Sequence, residues 1–222
     1  MFQGFTEKTG QFLWGLALNN ERPWFEAHKE EFLETLKRPF DELARDTYGL
    51  MTEAWPKENW QLHISRIYRD ARRLFGRGPY KEHLWFSVKS WDGLLSGPMF
   101  WFEVGAADWG CGMGFYDATP AQMEAYRASI LAEPARFKRI VNALDRQKRF
   151  TPDLPAYARP KGAVDPKLDP WFNARRVGME RHDNFGGDLF SPDLPKLLVE
   201  DYKTLLPLYR YLCRFCTPEE KP

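Results

Sequence analysis

The sequence predicts a mixed α+β fold in which an antiparallel sheet of about four to six strands packs against N-terminal, middle and C-terminal helices. Three observations carry this. Apolar residues recur every three or four positions toward both ends of the chain, and every second position between Leu62 and Tyr116. The connections between the later alternating stretches are too short to cross over between parallel strands. With 222 residues, 43% hydrophobic and 28% charged, the chain can bury a sizeable core, and residues 1–222 are read as a single domain.

The elements follow in order. From Thr9, the residues Phe12, Leu13, Leu16 and Ala17 keep helical spacing, and Asn19-Asn20 end the run with residues that tolerate left-handed backbone. Pro23 suits a first helical position, after which Phe25, His28, Phe32, Leu36, Phe40 and Leu43 extend a second helix. Pro39 should bend or divide it, because proline lacks an amide donor. Leu62–Arg69, Leu84–Ser90, Pro98–Val104 and Gly110–Tyr116 then alternate as strands, the last three forming a meander. Thr119-Pro120-Ala121-Gln122 is a capping box that starts a helix through Met123, Tyr126, Ile130 and Leu131. That helix breaks near Pro134 and resumes with Phe137, Ile140, Val141 and Leu144. The prolines between Thr151 and Pro170 predict an irregular loop. Ser191-Pro192 opens a final helix whose buried stripe is Leu194, Leu197, Leu198, Leu205, Leu208, Tyr209 and Leu212.

A formal net charge of +1 argues against coating nucleic acid or an anionic membrane through bulk charge. The charge is nevertheless uneven. Between Gln61 and Ser90, seven basic residues (Arg66, Arg69, Arg72, Arg73, Arg77, Lys81 and Lys89) stand against Asp70 and Glu82. Three cysteines, Cys111, Cys213 and Cys216, are an odd number, and the first residues carry no secretory signal, which together point to a reducing, cytoplasmic compartment. No apolar run is long enough to span a membrane.

Arg66-Ile67-Tyr68-Arg69-Asp70, followed by Pro79-Tyr80-Lys81, resembles a mainly bacterial family of conserved hypothetical proteins, domain of unknown function 2461. Asn19-Asn20 before Trp24-Phe25-Glu26, Gly112-Met113-Gly114, Pro160-Lys161-Gly162 and Pro207-Leu208 are similar to it as well, so the resemblance extends over nearly the whole chain. Where that family usually reads Phe-Ser-Lys-Asp-Lys between the two leading motifs, this chain has Arg72-Arg73-Leu74-Phe75-Gly76-Arg77-Gly78. The resemblance implies one domain and a set of motif positions, but no substrate, cofactor or catalytic residue.

The candidate ligand-binding residues are Arg66, Tyr68, Arg69, Asp70, Tyr80 and Lys81, because guanidinium and ammonium groups with hydroxyl donors suit a phosphate or carboxylate. The competing structural expectation is that Asp70 and one arginine pin the loop from Ala71 to His83. Strand alternation places Arg66 and Tyr68 on one face and His63 and Arg69 on the other. A small anionic ligand is the partner this cluster predicts. The alternatives are an enzyme acting on an anionic substrate, and a module for proteins or single-stranded nucleic acid that uses Trp85, Phe86 and Trp91 for stacking. Gly110, Gly112 and Gly114 lack the ending of a phosphate loop and suit close approach of a helix or an aromatic ring to the backbone. His28, His63, His83 and His182 fit no metal motif, although His63 and His83 could meet across strands near Glu82 or Glu103. Cys213-x-x-Cys216, inside a helix, is read as small apolar residues beneath it. No cofactor or metal is expected, and no motif fixes a reaction class, a catalytic residue or an oligomeric state.

Overall fold

Pro39 shapes the first part of the chain. In this computed structural model, which describes residues 1–70, 72, 74–90 and 96–216, the helices α1 (Glu7–Leu18), α2 (Arg22–Ala27) and α3 (Lys29–Glu31) come first. A π-helical turn at Phe32–Lys37 then leads into α4 (Arg38–Ala54). A proline has no amide hydrogen, so the carbonyl of Thr35, four residues earlier, cannot be paired within a regular α-helix. The buried Thr9 hydroxyl donates to that carbonyl at 2.6 Å, tying α1 to the widened turn. Replacing Thr9 by valine keeps the volume but removes this bond and the one its oxygen accepts from the Thr6 amide at 3.3 Å, so Thr9→Val is expected to cost about 1–3 kcal/mol, read as a lower urea midpoint at unchanged slope.

The meander forms as its spacing predicts. β1 (Trp60–Ile64), β2 (His83–Ser90), β3 (Met99–Gly105) and β4 (Asp108–Phe115) are adjacent in a six-stranded antiparallel sheet of order β1-β2-β3-β4-β6-β5. Thr119 caps α5 (Pro120–Ala132) as expected: the Gln122 amide donates to its hydroxyl at 3.3 Å, and its own amide donates to Gln122 Oε1 at 2.8 Å. Pro134 starts a separate helix, α6 (Pro134–Gln147). The proline-rich stretch is less irregular than its composition suggests, since it contains β5 (Thr151–Asp153) and α7 (Asp169–Phe172). β6 (Val177–Asn184) follows and pairs antiparallel with β5, Pro152 opposite Met179. A 3₁₀ turn at Gly187–Phe190 precedes α8 (Leu194–Cys213), which runs on through Pro207.

The chain divides into two compact units. The first comprises Met1–Val88, Trp101–Cys111 and His182–Val199, and the second comprises Lys89–Phe100, Gly112–Arg181 and the chain from Glu200 onward. In the first unit, alternation along β2 and β3 buries Leu84, Phe86, Val88, Phe102 and Val104. Phe40 of α4 lies between Phe86 and Phe102, with ring centroids 5.8 and 6.2 Å away. The opposite strand faces carry the half-exposed His83, Trp85, Trp101 and Glu103. In the second unit Phe100 stacks on Tyr209 of α8 at 4.7 Å, and Tyr126, Phe137, Trp171 and Tyr211 form an aromatic core. The glycine at 114 is needed for packing here, because a Cβ would stand 2.3 Å from the Tyr116 ring.

Candidate functional site

The segment richest in basic residues is built by a short ladder beyond the ends of β1 and β2. Tyr68 and Tyr80 form an antiparallel bridge, flanked by the Arg69 amide on the Pro79 carbonyl at 2.8 Å and the Lys81 amide on the Ile67 carbonyl at 2.7 Å. Cross-strand neighbours in such a bridge share a face. Accordingly the Tyr68 and Tyr80 rings are 5.4 Å apart and both meet Phe25 of α2, which stacks on Tyr80 at 4.1 Å. Tyr80 is 2% exposed and Tyr68 52%. Burial, followed by the neighbouring Tyr68, raises the Tyr80 phenol above its ordinary range, so it is a neutral core group.

A clamp fixes this ladder. The Tyr80 amide donates to Asn20 Oδ1 at 3.0 Å, while Asn20 Nδ2 donates back to the Tyr80 carbonyl at 2.9 Å. Arg69 Nε donates to the same carbonyl at 2.6 Å, and its Nη2 lies 3.4 Å from Glu82. Gly78 leaves room for the clamp, since a Cβ there would stand 2.3 Å from Asn20 Oδ1. Asp70 accepts from the Arg72 guanidinium at 3.1 and 2.9 Å in an exposed pair. Arg69 thus fills the pinning role expected of one arginine, and Asp70 pairs with Arg72 two residues away.

Arg66 and Lys81 are placed differently. Among the described residues neither makes an ion pair. Lys81 is half-buried with its ammonium 5.9 Å from the Trp85 ring, whereas Arg66 is exposed. Burial lowers the Lys81 pKa, the positive charges of Arg66 and Arg69 lower it further, and Glu103 opposes them. Glu103 lies 3.8 Å from His83 Nε2, and the His63 ring lies 5.1 Å from Trp85. The six candidate residues therefore separate into a tyrosine pair with Tyr80 buried and Tyr68 half-exposed, a clamped arginine, an exposed Asp70–Arg72 pair and two cations with no ion pair among the described residues. Arg73 and Trp91 lie outside the described residues.

Sequence reasoning missed Asn20 as part of this constellation, and its one signal was the Asn19-Asn20 pair ahead of Trp24-Phe25-Glu26. Among the described residues no group of three His, Cys, Asp or Glu side chains could hold a metal, and no helix is long and apolar enough to cross a membrane. A cavity of about 530 Å³ lies elsewhere, lined by Phe2, Arg45, Asp46, Leu50 and Pro195. A family model described as conserved hypothetical protein (DUF2461) matches residues 8–211. No curated protein matches the chain.

Proposed function

We propose that this chain, which belongs to the DUF2461 family of conserved hypothetical proteins, binds a small phosphate- or carboxylate-bearing ligand through Arg66 and Lys81. One observation carries the reading: Lys81 is half-buried, crowded by Arg66 and Arg69, and has no ion pair among the described residues. Folding gains nothing from gathering like charges, whereas an anion placed between them would relieve the repulsion and accept charge-assisted hydrogen bonds. Trp85 supplies an apolar wall beside Lys81, and binding sites combine such walls with few polar anchors. Arg69 contributes field rather than contact, since its guanidinium is engaged by the Tyr80 carbonyl and Glu82.

The test is a thermal-shift titration of phosphate, phosphorylated metabolites and di- and tricarboxylates at low salt. A ligand at 100 times its Kd stabilises by about 2.7 kcal/mol, which raises the melting temperature by roughly 5–10 °C in a chain of this size. Lys81→Met is expected to abolish the shift without lowering the melting temperature of the unliganded protein. The sign of the pH effect is fixed as well. Burial and the neighbouring guanidinium charges hold the Lys81 pKa below that of an ordinary lysine, so affinity falls as pH rises through a range where an ordinary lysine is still charged. Failure of every anion to protect the wild-type protein would overturn the reading.

A further inference from the structure

The end of α8 carries two thiols that the proposed anion site does not use, the Cys216 thiol donating to the Leu212 carbonyl at 3.9 Å. After Cys213, the last residue of α8, the chain tightens: Arg214, Phe215 and Cys216 each donate their amide to the carbonyl three residues back, at 3.4, 3.0 and 3.1 Å. In such a 3₁₀ turn the side chains at i and i+3 eclipse one another, so Cys213 and Cys216 project on the same side. Both are half-buried rather than sealed beneath the helix, in contrast to the fully buried Cys111.

We propose that Cys213 and Cys216 form a reversible dithiol–disulfide site that reacts with low-molecular-weight disulfides of the glutathione class. Residues three apart in a helical turn have Cα atoms about 5–6 Å apart, inside the span a disulfide bridges. The two sulfurs already communicate: a hydrogen bond from Cys213 is the main cause holding the Cys216 thiol below its ordinary pKa, and the charge of Lys89 acts the same way against burial and Asp117. That makes Cys216 the attacking sulfur. Its thiolate displaces one glutathione thiolate from the oxidised dimer and forms a mixed disulfide. Cys213 then gives up its proton, its sulfur attacks the Cys216 sulfur, and the second glutathione leaves as thiolate. The balance is two protein thiols and one glutathione disulfide converted to one protein disulfide and two glutathione thiols. A loop of four residues gains little from closure entropy, which suits a bond that exchanges rather than one that locks the fold.

The experiment equilibrates the full chain in reduced-to-oxidised glutathione buffers, followed by alkylation and mass analysis of the peptide containing both cysteines. With alkylation carried out on the denatured chain, the expected product is loss of about 2 Da on that peptide, with Cys111 alkylated throughout. In Cys213→Ser the resolving thiol is gone, so a mixed disulfide of about +305 Da should accumulate on Cys216. In Cys216→Ser, adduct formation at Cys213 should be at least fivefold slower. Exclusive mixed disulfide in the wild-type chain, a disulfide between two chains, or complete alkylation across the buffer series would each overturn the proposal.

Discussion

Asp201→Ala is expected to lower stability by about 3–5 kcal/mol, the cost typical of removing one partner from a buried ion pair. Asp201 on α8 is 3% exposed and receives Arg181 of β6 at 2.9 Å, while Arg149 closes on its other carboxylate oxygen. The Arg181 side chain is itself only 13% exposed, so the substitution removes a carboxylate from a guanidinium that water reaches poorly. Arg149, 41% exposed, can be hydrated instead, which places most of the loss on Arg181. The melting temperature should fall by roughly 6–20 °C. Asp201→Asn separates charge from shape, since it keeps the volume and one acceptor oxygen, and it should recover part of the loss. Paired substitution of Asp201 and Arg181 by apolar residues should be milder than Asp201→Ala alone, because only the half-exposed Arg149, which water can hydrate, is then left without its carboxylate. A fall of less than 1 kcal/mol for Asp201→Ala would show that water satisfies Arg181 as well as the carboxylate does.

The same ion pair explains what the sequence hid. β6 reads Val-Gly-Met-Glu-Arg-His-Asp-Asn, and its second half has no apolar alternation. It is a strand because β5 pairs along one edge and Arg181 anchors on Asp201, twenty residues later, and both are contacts that no local pattern carries. The capping box at Thr119 was legible for the opposite reason: both partners lie within three residues, so the chemistry is written locally. Pro39 was legible as a disturbance but not in form, since the π-turn depends on a hydroxyl from α1 reaching the Thr35 carbonyl. The candidate site divides along the same line. Its basic and tyrosine residues stand out in composition, but their grouping depends on Asn20, sixty residues from Tyr80, and on the Tyr68–Tyr80 bridge that brings Arg66 near Lys81. Cys213 is the last residue of α8 and Cys216 lies beyond it, and a boundary of that kind is the least readable part of a helical pattern.

Asn20→Ala is expected to cost about 2–4 kcal/mol, although the residue is a polar side chain in a loop. It satisfies both the amide and the carbonyl of Tyr80, and its removal leaves the amide of a residue 2% exposed without that acceptor. Arg69 also donates to the Tyr80 carbonyl, so Arg69→Met should be less costly, and the two effects should couple by about 0.5–2 kcal/mol in a double-mutant cycle. Leucine at position 20 would have the bulk of asparagine without its hydrogen bonds, and an equal loss for Asn20→Leu would assign the effect to those bonds. Arg66→Ala, at an exposed side chain, should change stability by at most about 0.5 kcal/mol. The contrast separates scaffold from site within one motif: Asn20 and Arg69 should govern the urea midpoint, whereas Arg66 and Lys81 should govern the thermal shift by anions. A large stability loss for Arg66→Ala, or an unchanged anion response in Lys81→Met, would mean that the motif's cations serve the fold and that the ligand binds elsewhere.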